Sequence, residues 1–289
     1  MSDLPLIETK DLSYVYSEGT PYEKRALDSV SIDIEESKIT AVIGHTGSGK
    51  STLMQQLNGL IKPTSGKIYF DGRDIWKNPK EIRQLRFKVG LVFQYPEYQL
   101  FDETVGSDIA FGPKNMGLDE KEITRRVRFA SEMVSLDEKL LNKSPFELSG
   151  GEKRRAAIAG VIAMMPRVIV LDEPTAGLDP RGRDEILGRL LEYKRMTDTT
   201  MVIVSHSMED VAYMADSVLV MNKGRLMMHG SVSEVFSRAD ELKSVGLNVP
   251  DVTKIFMGLK SAGVGIRDDI FTVKDGADEI KRYIEAKGR

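Results

Sequence analysis

Gly44-His45-Thr46-Gly47-Ser48-Gly49-Lys50-Ser51 fits the pattern G-x-x-x-x-G-K-[ST]. The apolar run Ile39–Ile43 leads into it, and a helical stretch beginning Ser51-Thr52-Leu53-Met54 follows. Glycines let the backbone curl so that successive N–H groups point inward at phosphate oxygens. A helix N-terminus adds partial positive charge at the same point. In such a loop the lysine, here Lys50, reaches the β- and γ-phosphates, and the hydroxyl of Ser51 ligates Mg²⁺. A glycine-rich turn that merely caps a helix has no need of Lys and Ser in this register. The stretch predicts a strand–loop–helix unit that cradles a nucleotide.

Three more apolar runs end in polar groups. Val168-Ile169-Val170-Leu171 runs into Asp172-Glu173, Leu91-Val92-Phe93 into Gln94, and Val202-Ile203-Val204-Ser205 into His206. An uninterrupted apolar run is the signature of a parallel strand covered on both faces. Ligands bind beyond the carboxyl ends of such strands. Four deliveries of polar function to one sheet edge argue for one site. There Asp172 would hold Mg²⁺ through water, and Glu173 would act as general base or orient the attacking water. Gln94 is expected to contact the water or Mg²⁺, and His206 the γ-phosphate.

Leu148-Ser149-Gly150-Gly151-Glu152 precedes a helix predicted over Lys153–Met165. Ser149 as N-cap and Glu152 at N3 make a capping box. That explains the serine and the glutamate but not two glycines in a first helical turn, where Gly costs up to ~1 kcal/mol relative to Ala. Glycines there imply close approach to something, and bare N–H groups at a helix start suit a phosphate. Gly44–Ser51 already serves this chain's nucleotide. A second phosphate-facing device points to another subunit's nucleotide, and so to a dimer that sandwiches ATP.

The remaining chain sets the organisation. Up to Phe93 it reads as strands, among them Ser29–Ile34, Lys67–Phe70 and Val89–Phe93. From about Asp102 to Met165 the pattern is helical, with Asp119–Val134 amphipathic. Strands return at Val168–Leu171, Met201–Val204, Val218–Met221 and Arg225–Met228, with a helix at Asp184–Arg195. After Leu247 a separate piece is expected: a helix (Asp251–Ala262), a strand (Ile270–Val273), an Asp275-Gly276 turn and a helix (Asp278–Ala286).

Composition narrows the function classes. The 289 residues contain no cysteine, which excludes thiolate metal sites, disulfides and cysteine nucleophiles. The net charge is 41 − 44 = −3, so a general nucleic-acid binder is not expected. The longest nearly apolar stretch, Ala156–Met165, is half of the ~20 residues a spanning helix needs. The start MSDLPLIETK has no apolar core of a secretory signal. A cytoplasmic protein is expected, with membrane attachment only through partners.

From Leu6 to Arg238 the chain resembles the ATP-binding subunits of ATP-binding cassette (ABC) transporters. The resemblance implies a P-loop NTPase cassette of α/β class, with a mixed sheet core, an antiparallel β-subdomain and a helical insertion at about 95–165. The cassette would span 1–245, and 246–289 would form a small α/β extension that supports ATPase–ATPase contact. It further implies nucleotide binding by Gly44, His45, Thr46, Gly47, Ser48, Gly49, Lys50, Ser51 and Thr52. Tyr16 would stack on adenine, with Tyr14 as its rival. Ser51, Gln94 and Asp172 would hold Mg²⁺, and Glu173, His206 and Gln94 would serve catalysis. Ser149, Gly150, Gly151 and Glu152 match the signature turn that contacts γ-phosphate in trans; the family most often has Gln at the last position. Ala176-Gly177-Leu178-Asp179 matches the D-loop, whose Asp179 crosses the dimer interface.

His45-Thr46, Phe93–Phe101, Phe111–Gly117 and Ser144–Ser149 are similar to the energy-coupling factor (ECF) transporter ATPases, the second of their two types. That implies an ATPase with Mg²⁺ at the cytoplasmic face of a membrane, powering uptake of vitamins or metal ions. Its partners would be a second ABC ATPase (heterodimer, with homodimer as the alternative), a membrane coupling protein and a substrate-capture protein. Another ABC importer class, a soluble ABC ATPase, and a P-loop kinase or GTPase are the rivals. The last would lack the signature turn. The rings of Tyr95–Phe101 are read either as core of the insertion or as a groove for a helix of the membrane partner.

Overall fold

The computed structural model describes residues 5–287. Strands β1 (Ile7–Tyr16) and β2 (Lys24–Ile34) form an antiparallel pair, and β3 (Ile39–Ile43) leads into the glycine-rich loop and α1 (Lys50–Leu57). β4 (Ser65–Phe70) and β5 (Arg73–Asp74) follow, then α2 (Ile82–Lys88) and β6 (Val89–Val92). The helical insertion comprises α3 (Val105–Asn115), α4 (Glu120–Met133) and α5 (Gly150–Ile162). The chain returns through β7 (Val168–Asp172), α6 (Pro180–Thr197), β8 (Thr200–Val204), α7 (Met208–Met214), β9 (Ser217–Asn222) and β10 (Arg225–Ser231). Four helices end it: α8 (Val232–Phe236), α9 (Ala239–Ser244), α10 (Asp251–Ser261) and α11 (Val273–Lys287).

Two sheets result. One is antiparallel, in the order β2-β1-β4-β5; the other is mixed, in the order β10-β9-β3-β8-β7-β6. In the mixed sheet every pairing from β9 to β6 is parallel, and only β10 runs against β9. Each residue of β3, β7 and β8 is buried, as continuous apolar runs require of strands covered on both faces. The register sets Val42 and Asp172 both beside Val204, and Val92 beside Leu171. The carboxyl ends of β3, β6, β7 and β8 therefore reach the same edge at nearly the same height.

The insertion is helical as expected, and α4 lies one residue inside Asp119–Val134 at each end. Helix α5 starts at Gly150, three residues ahead of the expected Lys153, because Ser149 caps it. Its buried Ala156, Ala159 and Ile162 join Ile109, Val127 and Leu171 in one core.

The C-terminal extension departs from expectation. The predicted strand Ile270–Val273 and the Asp275-Gly276 turn are absent, and two helices joined by an irregular segment make up the described part of the extension. Ile270 instead packs with Phe256 and Ile266 in a small core of their own. Thr272 caps α11: its Oγ1 accepts from Asp275 N at 3.2 Å, and its carbonyl accepts from Gly276 N at 3.0 Å. Gly276 thus belongs to a first helical turn. A Cβ there would lie 2.9 Å from Val252 and 3.0 Å from Phe256, so glycine lets α11 approach α10. Valine is the better helix former of the two by a few tenths of a kcal/mol. Overpacking reverses that preference, and Gly276→Val should lower stability by about 1–3 kcal/mol in urea unfolding. A stabilised variant would refute the close contact.

Candidate nucleotide site

A cavity of about 250 Å³ opens at the carboxyl edge of the mixed sheet. Thr46, Gly47, Gly49, Lys50, Ser51 and Thr52 line it from the loop, and Gln94, Asp172, Glu173 and His206 from the ends of β6, β7 and β8. Tyr16, Lys24 and Ala26 reach it from the antiparallel sheet. The four strand ends thus converge as their sequences predict. Gly49 is held at φ 104°, and a Cβ there would stand 2.5 Å from the Ala26 carbonyl oxygen. The loop therefore passes directly against β2, where only glycine fits.

Lys50 is buried, and its Nζ donates to the carbonyls of Gly44 (2.6 Å) and His45 (3.1 Å). Burial lowers its pKa, against the opposing pull of Glu173 and Asp172. Gly44, His45 and Ser48 do not line the cavity. The ring nitrogens of His45 face the Thr46 carbonyl (2.8 Å) and Asn222 Oδ1 (3.1 Å). Ser48 Oγ is buried with no hydrogen-bond partner.

The acids sit deep. Burial raises the pKa of Asp172, while a hydrogen bond from Ser51 and the charge of Lys50 oppose it. Glu173 has its pKa pushed up to about 7 by burial and then by Asp172; Lys50 works the other way. Its φ of 54° lies in the left-handed region, where a non-glycine residue costs of order 1–3 kcal/mol and marks a functional constraint. His206 Nε2 stands 3.0 Å from Glu173 Oε1, yet without the alignment of a hydrogen bond, so that buried oxygen has no partner. Burial and Lys50 lower the pKa of His206. Near neutral pH the Glu173 carboxyl is therefore close to its midpoint, beside an imidazole whose uncharged form is favoured.

Tyr16 and Tyr14 are distinguished by bulges in β1, where register shifts fall on both sides of Tyr14. Tyr14 packs on the core, whereas Tyr16 lines the cavity with its hydroxyl 3.1 Å from Thr52 Oγ1. The two rings meet edge to face at 4.7 Å.

Ser149–Glu152 and Asp179 lie outside the cavity, and the chain does not bring them to it. The capping box is present: Glu152 Oε2 accepts from Ser149 N (2.8 Å) and Ser149 Oγ (2.6 Å). These bonds hold the Glu152 pKa below its ordinary value. A Cβ on Gly150 or Gly151 would meet nothing within 4 Å, so no group among the described residues explains the glycines. Asp179 caps α6 through Gly182 N (2.8 Å).

The sequence reading missed two networks. Arg154 in α5 is buried and pairs with Glu97, and it also donates to carbonyls after Glu173. Asp210 accepts from Thr175 Oγ1 (3.1 Å) and Arg183 Nε (2.6 Å), and Arg183 also donates to Ser207 Oγ (2.9 Å). Lys24 and Ala26 were missed as well. Their approach depends on how β2 crosses the loop, which no local pattern encodes.

Known proteins match the chain closely. The family described as ABC transporter matches residues 27–176. The energy-coupling factor transporter ATP-binding protein EcfA2 of Clostridium tetani is 53% identical over 97% of this chain and 98% of the relative. Its namesake from Clostridium acetobutylicum is 54% identical over 98% and 99%. Among solved structures, cbiO1 from Clostridium perfringens, part of the ABC transporter complex cbiONQ, superposes with TM-score 0.73. It is 41% identical, covering 84% of this chain and 95% of that one. The ATP-binding cassette MJ0796, solved as a dimer bound to ADP and Pi, gives 0.69 at 26% identity, covering 78% and 98%.

The raised pKa of Glu173 carries a sign. A carboxyl whose folded pKa lies above its unfolded value of 4.5 contributes stability present below pH 4.5 and lost as pH rises through about 7. Glu173→Gln removes this loss. The variant should exceed the parent by roughly 2–3 kcal/mol at pH 8, with the gap closing toward pH 5. A gap independent of pH, measured by denaturation without nucleotide, would show that Glu173 titrates normally.

Proposed function

Because the chain belongs to the ABC transporter ATPases, and among them to the energy-coupling factor ATP-binding proteins, we propose that it is the ATP-hydrolysing motor of a membrane importer. The observation that carries this reading is one cavity lined at once by Lys50, Ser51, Gln94, Asp172, Glu173, His206 and Tyr16. The loop N–H groups and Lys50 bind the phosphates, and Tyr16 offers its ring to the base. Buried Glu173 Oε1 lines this cavity without a partner, as a group that a ligand completes would.

Ser51, Asp172 and Gln94 line the same cavity with oxygen donors, the donor class that Mg²⁺ takes. Bound there, the ion would neutralise phosphate charge. Glu173 orients the attacking water and accepts its proton, a role its pKa near 7 suits. His206 stands beside that carboxylate and would contact the γ-phosphate from the same cavity. Lys50 stabilises the charge that spreads over the transferred group. The signature turn of a second ATPase closes the site. Support comes from the open space around Gly150 and Gly151 and from a related cassette solved as a dimer.

Coupling to a membrane protein uses the insertion. Tyr98 is 85% exposed and Phe101 65%, which favours the groove reading of this stretch over the core reading. Beside them a cleft of about 520 Å³ is lined by Leu60, Phe87, Phe101 and Phe111, with Arg83 and Arg86 among its walls. Apolar patches of this kind mark interfaces. None of the described helices is long and apolar enough to cross a membrane, so passage would belong to partners. Exposed Ile255, Val273, Ile280 and Ile284 on α10 and α11 fit an extension that supports ATPase–ATPase contact.

Two tests follow from these roles. Glu173→Gln should bind ATP normally and lose hydrolysis by about 10²–10⁴-fold, whereas Lys50→Ala should lose binding or hydrolysis. An unchanged rate in either variant refutes the corresponding role. Replacing Tyr98 and Phe101 together by alanine should abolish co-purification of the membrane partner while ATP binding persists. An intact complex would refute the groove.

A further inference from the structure

Arg154 lies five residues beyond Ser149 on α5, and its side chain is almost wholly buried. Its guanidinium makes four hydrogen bonds. Nε and Nη2 fork onto the two carboxylate oxygens of Glu97, at 3.3 and 3.1 Å. Nη1 donates to the carbonyl of Ala176 and, at the longer 3.5 Å, to that of Pro174. Glu97 sits in the 3₁₀ turn Pro96–Gln99, three residues after Gln94. Pro174 and Ala176 belong to the segment that leaves Glu173. Three segments that meet the nucleotide, or its partner subunit, are thus joined by one side chain.

This arrangement bears on the Glu173 backbone. Its left-handed φ persists only where the surroundings over-determine it. The strand side supplies one restraint, Glu173 N donating to the Val204 carbonyl at 3.1 Å. Thr175 is tied to Asp210 at 3.1 Å. Within the turn, Ala176 N donates to the Glu173 carbonyl at 3.1 Å and Leu178 N to that of Thr175 at 3.2 Å. Arg154 adds a hold from outside the turn, on the two carbonyls flanking Thr175. A planar fork can grip a carboxylate with one edge and carbonyls with the other. The single ammonium of a lysine cannot span both.

We propose that Arg154 is a positioning residue that fixes the Glu173 carboxylate for hydrolysis and ties its placement to the segment after Gln94, where the insertion presents its exposed rings. The inference rests on the catalytic reading of Glu173 given above. Movement of the Pro96–Gln99 turn, as when a partner seats on it, is passed through Glu97 and Arg154 to the loop behind Glu173. Binding of ATP does not depend on this link, because Arg154 does not line the cavity.

The test uses the complete assembly purified through a tag on this chain, with Mg²⁺-ATP as the probe. Arg154→Lys keeps the charge opposite Glu97 but gives up the span. It should lower kcat by ~10- to 100-fold, the cost of slight misplacement of a reacting group. The Kd for ATP should stay within about twofold, the split expected of an interaction that matters only in the transition state. Glu97→Gln should lower kcat by a smaller factor, and the double variant should be no slower than Arg154→Lys alone, since both act through one link. A parental kcat in Arg154→Lys, a loss that appears in Kd instead, or losses that multiply would each overturn the proposal. Should Arg154→Lys fail to fold, Glu97→Gln decides by the same split, and an unchanged kcat there overturns it. Lys50→Ala run in parallel separates the two failures. Full hydrolysis in that variant would undo the reading of the site, whereas its loss beside a fully active Arg154→Lys would undo the proposal alone.

Discussion

Everything at the site depends on four parallel strands ending at one height. In a parallel sheet the hydrogen-bond register is shared from strand to strand, so the last residues of β3, β6, β7 and β8 form a row. Asp172 ends the row, and the loop, Gln94, Glu173 and His206 are each only a residue or two beyond it. They need no long side chains or mobile segments to meet. The core beneath them is continuous and apolar on both faces, and its burial supports a site that is costly in itself.

That cost is visible in the charges. A buried ammonium and two buried carboxyls share one small cavity, and each has its pKa moved toward the neutral form. A strained backbone lies beside them at Glu173. Such a site is preorganised for a ligand that brings its own charge, and discharge of the buried groups is the stable alternative without one. The ties that hold this state come from outside the cavity: Arg154 from the insertion, and Asp210 from the start of α7. Glu209, next to Asp210, accepts from Asp251 N at 3.2 Å, so the extension also touches this frame.

Local signals carried much of this. Gly44–Ser51, the apolar runs and the capping box at Ser149 are written in contiguous residues, and the structure follows them closely. Signals that need a distant partner were illegible. Arg154 meets groups 57 residues before it and about twenty after it, and nothing in its neighbours distinguishes it from Arg155. Tyr16 could not be separated from Tyr14 because bulges in β1 break the simple alternation of faces. Ile270–Val273 failed for the complementary reason. Its β-branched residues suit a strand, but among the described residues of the extension no second strand lies to pair with it, and Thr272 found a use as a helix cap. The Asp-Gly pair then became part of a helix, where glycine serves packing rather than turning.

Glu152 has one more consequence. Its carboxylate is held in the charged form against the hydroxyl and N–H of Ser149, on the very turn whose glycines stand open. Arg155 and Lys143 stand near enough to lower the pKa of that carboxylate as well, so the turn carries charges of both signs. The Glu152 charge is spent on the backbone and hydroxyl of the cap, which sets the shape of the turn from within. A neutral glutamine there could still accept from Ser149 but would no longer oppose the two cations.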